Sequence, residues 1–185
     1  MWYVECVCSV RNKTFREVMK VSGDLEKRIE RLEDLQKLQD LAHSYCWLVD
    51  EGFDKQDLSY IDKLVNLFTE DCVCDYGNLS KAGGFEKIES RADLRRFLAD
   101  YIFKNMESFR HYVQNFKADI HGKTAKFDYY LNFYGIIGGK PVMGSGAYLN
   151  ECVKVGNEWK YKKMTVKFYV FNYVDAEWGK QKTLF

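Results

Sequence analysis

Phe127-Asp128-Tyr129-Tyr130-Leu131-Asn132-Phe133-Tyr134 alternates apolar and polar residues with a period of two. In a strand, Phe127, Tyr129, Leu131 and Phe133 share one face, and Asp128, Tyr130, Asn132 and Tyr134 share the other. The same period holds from about 109 to 173. It predicts strands near 109–120, 124–137, 141–155 and 158–173. His121-Gly122-Lys123, Gly138-Gly139-Lys140 and Gly156-Asn157 separate them, short glycine-bearing turns that suit antiparallel hairpins. Upstream of Glu107 the period is helical. From Asp24 to about Val49, Leu25, Ile29, Leu32, Leu35 or Leu38, Leu41 or Ala42, Tyr45 and Leu48 recur at steps of three and four. Ser22 and Asp24 are positioned to cap this helix, and Gly52 to close it. Further helices are expected over about 58–68 and 90–105. Phe68–Gly77 reads as a turn and short strand, and loops at 52–57 and 77–91 would hold the pocket rim. A curved antiparallel sheet packed on three N-terminal helices, an α+β domain over 23–185, is the expected fold.

Residues 1–22 read as an N-terminal extension. Either Met19 is the natural start, or Trp2 to Val10, rich in β-formers, adds a strand. The chain has 185 residues, 46% hydrophobic and 30% charged, with a net charge of +1. That composition points to a globular protein and gives no electrostatic sign of nucleic acid or an anionic membrane as partner. Aromatic residues reach 16%, which suits a ring-lined cavity as well as a large core. Pro141 is the single proline. Cys6/Cys8 and Cys72/Cys74 are spaced too closely for ordinary zinc ligation, so free thiols in a reducing, cytoplasmic setting are expected. No apolar run reaches membrane-spanning length, and the N-terminus is a poor signal peptide.

Two residues stand out chemically. Asp50 sits where the first helix should end, among Trp47, Leu48, Val49 and Phe53. A carboxylate there is opposed by the helix dipole. His111, one of three histidines, lies between Arg110 and Tyr112, close to Phe109. It reads either as a partly buried ring bonded to backbone, or as the base of an Asp50–His111 pair. Tyr45, just over one turn before Asp50, is either a core ring or a phenol donor to the same hollow. Strand parity places His111, Val113, Asn115, Lys117 and Asp119 on one face, the polar one unless a bulge intervenes. Asn115 would then accompany His111 as a ligand contact. Lys167 is either a solvent-facing residue or an anchor for an anionic group. Trp47, Tyr129, Phe133 and Tyr148 are the rings expected to line a binding hollow. Zincin, Walker, nucleophile-elbow and dinucleotide motifs are missing, so neither metal nor cofactor is expected.

Tyr45-x-x-x-x-Asp50, Leu67-Phe68-Thr69-Glu70-Asp71, Val73-Cys74-Asp75-Tyr76-Gly77, His111-Tyr112-Val113-Gln114-Asn115, Asp119 to Ala125, and Gly146-Ala147-Tyr148 leading to Glu158-Trp159-Lys160 together resemble the SnoaL-like branch of the nuclear transport factor 2-like superfamily. The match covers roughly 24–172. The resemblance implies a cone: a curved sheet wrapped around helices and enclosing a deep apolar pocket. Dehydratases and dehydrochlorinases of this family eliminate water or HCl without a cofactor, using a helix-end aspartate and a strand histidine. Asp50 and His111 match those positions. Tyr45 matches the helix tyrosine of the family's bile-acid dehydratase, and Lys167 falls near its final-strand arginine. The further ionisable residue that the dehydratases carry on the strand here spanning 124–137 has no counterpart at Phe133 to Gly135.

The expected function is a cofactor-independent lyase or isomerase acting on a small hydrophobic polycyclic or aromatic molecule. The chain would be a homo-oligomer, dimer or trimer, through the outer sheet face. The alternatives are a non-catalytic ligand-binding or oligomerisation module, and a partner-binding adaptor.

Overall fold

The computed structural model describes residues 2–174, with side chains from Gly23 onward. Contacts divide the chain into two units, one ending at Lys37 and the other beginning at Leu38. Helix α1, Trp2–Lys55, contributes to both. Its backbone is helical through Trp2 to Val10, where a strand was one alternative, and through Ser22 to Asp24, where a capped start was expected. Nothing in that stretch stops a helix: it contains no proline, and Gly23 costs only about 1 kcal/mol relative to alanine. The Cys6/Cys8 pair and Met19 lie outside the residues whose side chains are described.

The other end of α1 also differs from expectation. Gly52 is inside the helix, and Gln56 takes the left-handed position at φ 49. Gln56 N–H donates to Phe53 O at 3.3 Å and Asp57 N–H to Gly52 O at 3.3 Å, the paired bonds of a Schellman cap. Gly52 is needed for closeness instead. A Cβ there would lie 2.8 Å from the Phe103 ring, which stacks on Phe53 at 4.4 Å. Helix propensity favours a larger residue at 52 by up to about 1 kcal/mol, whereas overpacking costs about 1–3 kcal/mol. Gly52→Val is therefore expected to destabilise the domain by about 1–2 kcal/mol, read as a lower denaturant midpoint with unchanged slope.

In the unit from Leu38 onward, α2 (Ser59–Val65), β1 (Phe68–Asp75) and α3 (Asn78–Ala82) follow α1. Then come α4 (Arg91–Phe97), a π-helical turn (Leu98–Ile102) and α5 (Phe103–Asn105). Ser90 caps α4, its hydroxyl accepting from Asp93 N–H at 3.0 Å. The four long strands are β2 (Met106–His121), β3 (Thr124–Ile137), β4 (Lys140–Val155) and β5 (Glu158–Tyr173). They pair antiparallel in sequence order, and β1 adds in parallel to β5, giving a five-stranded curved sheet in the order β1-β5-β4-β3-β2. Phe127, Tyr129, Leu131 and Phe133 are all buried on the inner face, as the alternation requires. They pack with Leu38, Ala42, Tyr45, Val49 and Phe53 of α1. Cys72 and Cys74 share the buried face of β1 as free thiols.

A bulge in β2 settles the parity of His111. Gln114 pairs with Tyr130 and Lys117 with Asp128, so Asn115 and Phe116 together oppose Tyr129. Asn115 occupies the left-handed region at φ 56, which asparagine tolerates. Before the bulge Phe109, His111 and Val113 face inward; after it Phe116, Ala118 and Ile120 do. At Gly146, a Cβ would sit 2.4 Å from Lys167 O, so only glycine lets β5 approach where it too bulges.

Candidate active site

Asp50 lies on the penultimate turn of α1, five residues before its end. Its two oxygens are both used by one residue. His111 N–H donates to Oδ2 at 2.9 Å, and ring Nδ1 lies 2.6 Å from Oδ1. The side chains are 14% and 5% exposed, so the pair is largely removed from water. A carboxylate facing Nδ1 places the ring proton there and leaves Nε2 with a free lone pair. One residue earlier on β2, Arg110 pairs with Asp54, one turn further along α1. Arg110 and His111 thus hold two carboxylates at i and i+4 of the helix, fixing strand against helix at the point where the pair forms.

His111 forms part of the wall of a small apolar cavity of about 50 Å3. Phe109 packs tilted against its ring at 4.8 Å. Tyr45, Tyr76 and Tyr148 bring phenols to the same cavity. Tyr45 Oη is 3.0 Å from Tyr76 Oη, and Tyr76 donates to Met164 Sδ at 3.8 Å. If Tyr76 spends its proton on sulfur, Tyr45 must be the donor to Tyr76. The Tyr148 ring meets Tyr45 edge-on at 5.6 Å. Burial pushes all three phenols above their ordinary range. They therefore remain protonated donors at any physiological pH. Burial, and then the Asp50 charge, pushes the Cys46 thiol up, so it is no nucleophile.

The residues predicted from sequence separate into three groups. Asp50, His111, Tyr45 and Tyr148 converge. Tyr129 and Phe133 are buried but stand one layer back. Tyr129 bonds Tyr161 through the hydroxyls at 3.0 Å, and Phe133 stacks on Phe109 at 4.8 Å. Trp47, Asn115 and Lys167 are exposed and outside the cavity. Trp47 lies on the outward side of α1, with 67% exposure. The bulge turns Asn115 away from His111. Lys167 alternates with buried Val166, and its ammonium lies over the Tyr169 ring at 5.8 Å. It lines an outer groove of about 480 Å3, which shares Leu79, Val166 and Phe168 with the inner cavity. Tyr76 also lines the cavity, and no spacing rule in the sequence ties a tyrosine at a strand end to a helix tyrosine 31 residues earlier.

A family model described as a SnoaL-like domain matches residues 30–165. No curated protein matches the chain by sequence. Among solved structures, a Novosphingobium aromaticivorans protein provisionally named as an aromatic ring hydroxylase is 29% identical, with a TM-score of 0.65, covering 77% of this chain and 94% of its own. A protein of the same organism provisionally named as a scytalone dehydratase is 17% identical, with a TM-score of 0.66 over 80% of this chain and 91% of its own. The type 3 hexachlorocyclohexane dehydrochlorinase LinA of Novosphingobium barchaimii LL02 is 15% identical, with a TM-score of 0.65 over 80% and 94%. At the two lower identities the likeness is one of fold.

Proposed function

Because this chain belongs to the SnoaL-like family of the nuclear transport factor 2-like superfamily, we propose that its Asp50–His111 pair makes it a cofactor-independent lyase or isomerase. The supporting observation is the two-point grip of Asp50 on His111 at the wall of an apolar cavity. The carboxylate fixes the tautomer and offsets the charge that forms when Nε2 takes a proton from carbon. The C–H electron pair becomes the new double bond as a hydroxyl or halide departs from the neighbouring carbon. The buried phenol of Tyr148 supplies the proton that lets hydroxide leave as water, or bonds a developing enolate oxygen. Positions 133–135 of β3 bring no ionisable group to the cavity: Phe133 faces the core, Tyr134 faces solvent, and a Cβ at Gly135 would lie 2.7 Å from Ser108 O. The substrate class is a small hydrophobic polycyclic or aromatic molecule. Buried free thiols fit a reducing cytoplasm. Among the described residues no helix is long and apolar enough to cross a membrane. Exposed Tyr112, Tyr130 and Tyr134 on the outer face of β2 and β3 offer a self-association surface.

A receptor without turnover is the second reading, and the cavity volume favours it. About 50 Å3 is far below the roughly 300–1,000 Å3 of ordinary ligand pockets. The wall shared with the outer groove answers this. Leu79 is carried by the five-residue helix α3, between Gly77 at φ 60 and Gly84 at φ 78. Its displacement would join groove to cavity. Leu79→Ala is expected to tighten binding of anilinonaphthalene sulfonate, a fused-ring anion, by at least about threefold, and Leu79→Trp to weaken it by about tenfold. Fluorescence titration reads both, and equal affinities would remove Leu79 from the route. A thermal-shift screen of hydroxylated polycycles, followed by detection of dehydrated product, tests the lyase reading. Binders that are never converted would favour the receptor.

A further inference from the structure

Leu25, Ile29 and Leu32 share the three-and-four spacing of Tyr45 and Leu48, yet they are 52%, 47% and 64% exposed. Leu38, Ala42, Tyr45 and Val49, by contrast, are buried. The three exposed residues form an apolar stripe. Its spacing of four and three continues N-terminally in the sequence: Phe15, Val18, Ser22, Leu25, Ile29 and Leu32 fall at alternating a and d positions of three heptads. Beyond Leu32 the corresponding positions are Gln36 and Gln39, so the seam ends there.

We propose that residues 15–35 form a parallel two-stranded coiled coil with a second copy of this chain. Three features of the repeat select that occupant. A β-branched Ile29 at a with Leu25 and Leu32 at d favours two parallel strands. Ser22, at an a position, adds a polar residue that pins register. Exposed Arg28 at g and exposed Glu33 at the following e position are opposite in sign. In a parallel, in-register pair each Arg28 meets the other copy's Glu33, and two-fold symmetry forms the contact twice.

Sedimentation equilibrium of the full chain tests the seam. Ile29→Asp puts a charge at the seam while leaving the core untouched, since Ile29 is exposed in the single chain. It is expected to halve the mass of the assembly and to raise the dissociation constant at least a hundredfold, with unchanged near-ultraviolet circular dichroism. Arg28→Glu and Glu33→Arg, made singly, should each weaken assembly about tenfold, and the two together should restore it. A wild-type mass equal to that of Ile29→Asp at all concentrations would overturn the proposal. So would a double charge swap that fails to rescue, which would mean antiparallel pairing or another partner.

Discussion

Asp50→Asn is expected to lower turnover by about a thousandfold or more, while the melting temperature stays within a few degrees of wild type. The amide is nearly the same shape and its oxygen still accepts from His111 N–H, so the strand remains docked. The second contact is what changes. An amide NH2 facing Nδ1 is a donor, which forces the ring proton onto Nε2 and removes the lone pair from the cavity side. His111→Ala should cost a comparable factor, because it deletes the base itself. The two changes combined should cost little more than either alone, as groups acting as one unit do. Rates are to be measured on whichever hydroxylated polycycle the thermal screen returns. Full activity in either single variant would sink the acid/base mechanism.

Phe133→Ala is expected to produce the largest loss of stability, about 3–5 kcal/mol. The ring is 1% exposed, stacks on Phe109 at 4.8 Å, and meets Phe171 edge-on at 5.0 Å and Phe168 at 5.9 Å. Alanine would leave a void among three other rings. For a chain of this size the loss corresponds to a fall in melting temperature of roughly 10 °C. The effect should extend to chemistry, because Phe109 is the ring that packs against His111. Phe133→Leu, which keeps most of the volume, should recover more than half of the lost stability. Calorimetry separates the two variants, and a change under 1 kcal/mol for alanine would show that the layer behind Phe109 collapses without cost.

The strands were legible because their pattern is local. Alternation and three glycine turns placed β2 to β5 within about three residues, and a helix-end acid with a strand histidine was enough to nominate the pair. What escaped depends on contacts distant in sequence. The parallel pairing of β1 with β5 joins segments about 90 residues apart, and no local signal specifies it. The bulge at Asn115 rests on a single asparagine accepting a left-handed conformation, which decides which side of β2 every later residue faces. Gly52 resembled a stop signal, but its missing side chain is required by the Phe103 ring. Trp47 lies next to a core cysteine in sequence and still faces outward, because successive helical residues diverge by 100°. Leu25, Ile29 and Leu32 satisfied the helical period and are exposed, whereas Tyr45 is buried. Spacing shows that residues share a face, but not what that face meets.

The grip of Asp50 on a main-chain N–H makes the site readable by magnetic resonance. The His111 amide proton points at the very carboxylate that orients the imidazole. Its cross-peak should therefore move sharply when a bound molecule pulls on the ring. A single backbone signal could thus register occupancy of the cavity before any substrate is identified.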